Sequence, residues 1–175
     1  MTRYVAFLRA INVGGHTVKM DHLRGLFESL SFANVETFIA SGNVIFETKD
    51  KDGAKLEKKI ASHLEADLGY GVDTFVRTIQ ETAEIERRCP FQPKKNDDLV
   101  YVAFLHETLN AAGKSALTAA KNKMNDFAVI GREIYWLRLN RDDSLFLKSS
   151  LEKIVKAPVT VRIMTSIHKL VGKYK

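Results

Sequence analysis

The sequence predicts an α+β protein built from two tandem ferredoxin-like βαββαβ units that arose by internal duplication, each an antiparallel sheet with its helices packed on one face. Three observations carry that expectation. Tyr101-Val102-Ala103-Phe104-Leu105 repeats Tyr4-Val5-Ala6-Phe7-Leu8 letter for letter. Val161-Arg162 ends the last strand pattern as Val76-Arg77 ends an earlier one. Between these anchors the order of helix and strand patterns recurs.

The elements follow in order. Residues 3–11, an almost unbroken apolar run bounded by Asn12 and Gly14-Gly15, read as a buried central strand. Leu23, Leu26, Phe27 and Leu30 recur at helical spacing, with Asp21 placed to cap the first turn. Val35–Ile39 and Val44–Phe46 form a hairpin through Ser41-Gly42, where glycine supplies the positive φ of a tight reversal. Leu56, Ile60, Leu64 and Leu68 stripe a helix from Gly53 to Leu68, stopped by Gly69 and Gly71. A strand at Val72–Thr78 and a short helix at Ile79–Arg88 complete the first half.

Pro90–Asp98 carries two of the three prolines and a charge cluster, which marks a linker. The expected organisation is therefore a first unit at 1–90, a linker at 91–98 and a second unit at 99–175. In the second unit an Ala-rich helix near 110–121 is followed by a hairpin, Phe127–Ile130 and Glu133–Leu139, turning at Gly131. Then come a helix striped by Leu147, Leu151, Ile154 and Val155, a strand at Val159–Ile163, and a closing helix with Ile167, Leu170, Val171 and Tyr174. Tyr4 to Arg77 spans 73 positions and Tyr101 to Arg162 spans 61; if Gly131 matches Gly42, 8 of the 12 missing positions precede the hairpin glycine. Each sheet leaves one face without helices, and mutual covering is the economical arrangement; an uncovered face favours a homodimer.

Composition excludes several classes. The chain has 175 residues, 45% hydrophobic and 27% charged, so disorder, collagen and coiled coil are out. No run approaches the length of a membrane span, and Met1-Thr2-Arg3-Tyr4-Val5 enters a strand pattern directly, so a cytoplasmic protein with no membrane partner is expected. A single Cys89 agrees with a reducing compartment and reads as a packing residue. Net charge is +6, divided as −1 over residues 1–88 and +7 over 89–175, so the second half is the basic one.

Two loops meet where the first strand ends beside the start of the third. One is Asn12-Val13-Gly14-Gly15-His16-Thr17-Val18-Lys19 and the other is Ser41-Gly42-Asn43. Glycine amides can approach an anion, the following helix offers its positive end, and cations stand nearby. The candidate site for a small anionic or phosphorylated ligand is Arg9, Asn12, Gly14, Gly15, Lys19, Ser41 and Asn43. The glycine amides would hold the anion, Arg9 and Lys19 would neutralise it, and the two asparagines would orient it or fix the loops. The second copy lacks these glycines, which confines the site to the first.

The segment Phe7-Leu8-Arg9-Ala10-Ile11-Asn12-Val13-Gly14-Gly15, then Lys19-Met20 with Leu23, then Ser41-Gly42-Asn43-Val44-Ile45-Phe46, resembles the uncharacterised bacterial family called domain of unknown function 1697 (DUF1697). The resemblance covers about residues 3–47 with matching spacing and extends more weakly to the end. There the family's Thr-x-Arg-Asn-Trp-type stretch is Thr160-Val161-Arg162-Ile163-Met164-Thr165, which keeps Thr and Arg but lacks Asn-Trp. Membership implies the two-copy fold and brings no activity, substrate or cofactor.

The remaining motifs are negative or secondary. Five scattered histidines, with no paired cysteines and no His-Glu-x-x-His, give no metal site, and the absence of Gly-x-Gly-x-x-Gly and Walker loops removes familiar nucleotide cofactors. Ser41 lacks a nucleophile-elbow context, so no catalytic residue and no reaction class are assigned. The second reading is a nucleic-acid (RNA) or protein interaction module in the basic half. In it, Trp136 and Arg138 share one face of Glu133-Ile134-Tyr135-Trp136-Leu137-Arg138, with Trp136 as a stacking ring.

Overall fold

The computed structural model describes the chain except Val13, Ala40, Ser41, Asn96, Asp97 and residues 140–147, and describes 148–150 by backbone alone. The first half contains β1 (Thr2–Leu8), α1 (Met20–Ser29), β2 (Ala33–Phe38), β3 (Asn43–Thr48), α2 (Gly53–Leu68), β4 (Thr74–Thr78) and α3 (Ile79–Arg87). The second contains β5 (Leu99–Phe104), α4 (Ala111–Ala119), β6 (Asn125–Ile130), β7 (Glu133–Arg138), α5 (Lys148–Val155), β8 (Thr160–Ile163) and α6 (Met164–Tyr174). The two antiparallel sheets have the same strand order, β2-β3-β1-β4 and β6-β7-β5-β8. The repeat therefore runs one element beyond βαββαβ, because α3 follows β4 as α6 follows β8.

Register makes the duplication concrete. Tyr4, Val5, Ala6 and Phe7 pair with Phe46, Ile45, Val44 and Asn43, while Tyr101, Val102, Ala103 and Phe104 pair with Trp136, Tyr135, Ile134 and Glu133. Val5 faces Arg77 across β4 as Val102 faces Arg162 across β8. Each arginine folds back on the carbonyl before it, Arg77 Nη1 to Val76 O at 2.8 Å and Arg162 Nη1 to Val161 O at 3.0 Å. The hairpin glycines do not correspond. Gly42 directly precedes Asn43, whereas Gly131 stands two residues before Glu133; Leu8 N donates to Gly42 O and Leu105 N to Arg132 O. Fewer positions are therefore lost before the hairpin than the glycine match implies.

Alternate residues of the central strands, which are buried on both faces, enter each core. In the first unit Tyr4, Ala6, Leu8, Val44 and Phe46 meet Leu23, Leu26 and Phe27 of α1 and Leu56, Ile60 and Leu64 of α2 in one cluster, so both helices lie on one sheet face. Tyr101, Ala103, Ile134, Trp136 and Phe127 do the same with Leu117 of α4 and Leu151 and Val155 of α5. In the second unit part of the opposite face is covered from within: the Tyr135 hydroxyl donates to Ile85 O of α3 at 2.8 Å, and α6 packs on β5 and β8. At the edge of the first sheet, buried Glu57 of α2 accepts from Val76 N at 2.8 Å and lies 3.5 Å from Arg77. One side chain thus occupies an outward amide of an edge strand and neutralises a buried cation.

Three boundaries depart from expectation. The first strand ends at Leu8, not Ile11, because Ala10 takes a φ of 59° and turns the chain out of the sheet while Ile11 folds back as a buried plug. The N-cap of α1 is Lys19, and Asp21 lies in the first turn, pairing with Arg24 at 3.2 Å. The chain divides into compact units Met1–Thr82, with Lys175, and Ala83–Tyr174. This division falls inside α3. The 91–98 segment belongs to the second unit, where Asp98 Oδ2 accepts from Lys94 N and Lys95 N, both at 3.0 Å. Of the expected α5 stripe, Leu147 lies outside the described residues.

Candidate functional site

The candidate loop leaves β1 as the sheet hydrogen bonds run out. Leu8 N donates to Gly42 O at 2.8 Å and Arg9 N to Asp73 O at 2.9 Å, which ties the strand end to the β2–β3 and α2–β4 connections. Beyond this point the loop is fastened from inside. Asn12 Oδ1 accepts from Val18 N at 2.7 Å, the Tyr70 hydroxyl donates to Ile11 O at 2.9 Å, and the His16 ring stacks on Tyr70 with centroids 3.9 Å apart. Tyr70 and Asp73 were not part of the expected site. They follow α2 in sequence and reach the loop only through the sheet's strand order.

The expected residues divide into two groups. Asn12 and Asn43 are internal fasteners: Asn12 holds the loop, and Asn43, 2% exposed, donates its amide to Phe38 O at 3.0 Å. Asn12 Oδ1 and the Asn43 amide are thus engaged by the backbone, and both side chains fasten the loops. Arg9 pairs with Asp73 at 3.2 Å, both side chains being partly exposed. Gly14, Gly15 and Lys19 lie on the surface. Gly14 and Gly15 have φ of 65° and 86°, and a Cβ built on either would meet nothing within 4 Å. Ser41 lies outside the described residues.

Gly42 has another role. Its φ is 79°, and a Cβ there would stand 2.7 Å from Ile11 Cγ2, so this glycine is needed for the turn and for the approach of the Ile11 plug. Ile39, in the same connection, is exposed with φ 57°, a costly conformation for a β-branched residue.

Helix ends differ between the copies in a way that bears on anions. Asp52 Oδ1 caps α2 through Lys55 N at 3.0 Å, and Asn110 Oδ1 caps α4 through Gly113 N at 2.8 Å. The N-cap of α1 is extended Lys19, which makes no side-chain cap hydrogen bond. A helix N-terminus leaves several N–H groups without intrahelical partners, and a lysine there opposes the dipole unless an anion joins it.

The stacking surface expected of the second unit is absent from its assigned place. Trp136 is 1% exposed, stacks on Tyr101 at 4.8 Å inside the α4/α5 core, and donates Nε1–H to Asn125 Oδ1 at 2.8 Å. The alternation expected of this strand is correct, but the Trp136 face points into the helices. Arg138 follows at the end of β7, half-buried and in register with Leu99 and Asn125. Near Trp136 on the other face, Tyr135 accepts from Arg88 Nε at 3.3 Å, and burial pushes its phenol up to about 12. Arg88 also bonds Glu133, an ion pair that holds the end of α3 to the hairpin.

The second unit has a cavity of about 370 Å³ at the position equivalent to the first unit's loop, bounded by Leu105–Asn110 and Val155–Pro158. A second, of about 400 Å³, is lined by Phe91, Pro93, Leu99, Val100, Ile163 and Met164, with the Glu86–His168 pair and Cys89 also on its wall. Burial raises the Cys89 thiol, which makes it a poorer nucleophile at neutral pH. Cavities of this kind depend on loop length and on packing around it, and no residue motif announced them.

With the geometry in place, comparison with known proteins fixes the family. Residues 1–135 match the family model described as a protein of unknown function, DUF1697, and the chain belongs to that family. The solved structure of the conserved bacterial protein SP0830 from Streptococcus pneumoniae is similar over 99% of both chains, with a TM-score of 0.76 and 23% identity. That likeness extends the two-copy architecture to the whole chain and speaks for the fold alone. Among curated proteins none matches. Among the described residues no helix is long and apolar enough to cross a membrane.

Proposed function

We propose that the first unit binds a small anionic ligand, of phosphate or phosphoryl type, at the loop between β1 and α1. The observation that supports this most is the N-terminus of α1. It begins on Lys19, makes no side-chain cap hydrogen bond, and follows a loop with two surface glycines in left-handed conformation. An anion there would accept from the free amides, complete the helix cap and neutralise Lys19. Arg9, shared with Asp73, would add a second cation at the rim, while Asn12 and Asn43 keep the two loops in place.

Calorimetric titration of the protein with inorganic phosphate and with a sugar phosphate tests the reading. Binding is expected to need Lys19 and to weaken about tenfold in Lys19→Ala, on the order of one charge-assisted hydrogen bond. Equal affinity in native protein and variant, or no heat with either anion, contradicts it.

A further inference from the structure

We propose that the second unit takes up an extended acidic segment of another protein as an added strand, on the edge strand β6 and in the groove between β6 and α4. β6 is the last strand of its sheet and pairs with β7 without a register break over all six residues. The corresponding edge strand of the first unit, β2, is bulged between Ala33 and Glu36 and holds Asn34 in a left-handed conformation, φ 49°. A bulge turns an edge away from further pairing, and β6 keeps the regular edge that another strand can use.

The hydrogen bonds show which backbone groups of β6 face outward. In an antiparallel pair alternate residues turn both N–H and C=O toward the neighbouring strand, and the residues between them turn theirs away. Asn125 belongs to the outward set: its N–H donates to Asn122 Oδ1 at 2.9 Å and its carbonyl accepts from Asn122 N at 3.0 Å. Phe127 follows it, its N–H donating to Asp126 Oδ1 at 2.8 Å. By the same alternation Val129 turns its N–H and C=O outward, and neither has a partner among the described residues. A donor and an acceptor on one edge residue are met together by the backbone of one extended residue laid opposite, so the complement of this edge is a strand.

The groove selects the side chains of that strand. Phe127 and Val129 pack toward the helix-covered face, and with Lys114, Leu117, Thr118 and Lys121 they line a groove of about 230 Å³. A guest residue opposite Val129 places its side chain on the same face, where Leu117, Phe127 and Val129 offer apolar surface. Lys114 and Lys121 stand three residues before and four after Leu117; both are exposed, and Lys114 has no ion-pair partner among the described residues. Guest residues two before and two after the aliphatic one share its face, so the pattern that fits is acidic-x-aliphatic-x-acidic. The chain's own Asp126 already shows the preference. The oxygen that accepts from Phe127 N also lies 2.8 Å from Lys121 Nζ, so a carboxylate occupies this end of the groove. A second copy is a poorer match: residues 121–132 carry Lys121, Lys123 and Arg132 against Asp126 alone, and β6 laid against β6 brings like charges together.

The test is fluorescence anisotropy with the labelled peptide Thr-Glu-Thr-Val-Thr-Glu-Thr, titrated with the full chain at about 50 mM salt. Saturable binding is expected, and none with lysine in place of both glutamates. Val129→Pro removes the outward amide where an edge strand tolerates proline, and should weaken binding at least about tenfold. Val129→Thr keeps the amide and the shape and should bind within about twofold of the native chain. Lys114→Gln should bind about three- to fivefold more weakly. Far-ultraviolet circular dichroism checks that the variants are folded; should Val129→Pro not fold, Lys114→Gln and amide hydrogen exchange on the native chain decide. Exchange at Val129 should slow at least about tenfold when the peptide saturates. No saturable binding up to about 1 mM chain, equal binding of the lysine peptide, equal binding by Val129→Pro or Lys114→Gln, or unchanged exchange at Val129 each overturns the proposal. So does a dimer that protects the Val129 amide without peptide, which would give the edge to a second copy.

Discussion

The two copies use the same five-residue strand, Tyr-Val-Ala-Phe-Leu, and then part company at the residue that follows it. After Leu8 the chain makes a long loop pinned by Asn12, Tyr70 and stacked His16, and enters α1 through an uncapped Lys19. After Leu105 it makes a short loop, caps α4 with Asn110 and leaves a cavity of about 370 Å³. Sheet order, register and the arginine folded on its own strand are held in common. Duplication thus preserved what the sheet requires and released the connections, where binding surfaces are built on a rigid frame.

The sharpest way to break the parallel is in the core. Phe46 and Trp136 occupy the same register position, opposite Tyr4 and Tyr101. Each is buried beneath its helices, so Phe46→Ala and Trp136→Ala should each cost about 3–5 kcal/mol in denaturant unfolding. A cost under about 1 kcal/mol for Trp136→Ala would mean that the ring is not a core residue and would reopen its use as a stacking platform.

The hairpin glycines should separate next. Gly42→Ala forces a Cβ toward Ile11 at a φ of 79° and should cost about 2–4 kcal/mol. Gly131→Ala meets nothing closer than 3.5 Å and should cost about 1–2 kcal/mol, from its φ of 61° alone. Thermal melts of the two variants make the comparison, and equal losses would mean that the glycines are equivalent after all.

A third difference is in pH. Burial holds the Tyr135 phenol up to about 12, so the folded protein keeps this proton where the unfolded chain, near 10, has lost it. That contribution is complete below about pH 10 and is lost as pH rises toward 12, up to about 2 kcal/mol. Tyr135→Phe should flatten this part of the stability curve. The matching residue in the first copy, Ile45, has nothing to titrate.

The smallest effect has opposite signs in its two readouts. Lys19 has the extended backbone of an N-cap, so Lys19→Asp supplies the missing cap and should stabilise the protein by about 1 kcal/mol. The same change should abolish phosphate binding. Higher melting temperature with binding retained would separate the helix end from the ligand.

Much of the fold was legible because its signals are local. The unbroken apolar run shows in Tyr4–Leu8, the four-residue stripe shows in Leu56–Leu68, and Gly69 ends that helix with a left-handed φ of 79°. What could not be read depends on contacts distant in sequence. Asp21 lies two positions past the N-cap, Lys19, and the sequence around it does not set that frame. Gly131 looks like Gly42 until strand register places it elsewhere. The Trp136 and Arg138 side was correct as alternation, yet which side the helices cover is a tertiary fact. For the site, glycines and lysine are surface features that sequence can propose. The commitment of Asn12 to Val18 and of Asn43 to Phe38 depends on loop closure, and Tyr70 and Asp73 arrive through the strand order.

The most direct test of the account is an amide-resolved NMR titration of the whole chain with inorganic phosphate, because both copies report in one sample. The account predicts saturable shifts at Gly14, Gly15 and the first turn of α1, absent in Lys19→Asp, with Thr108 to Gly113 of the second copy unmoved. Shifts of equal size at both helix starts, or none at Gly14 and Gly15, would contradict it.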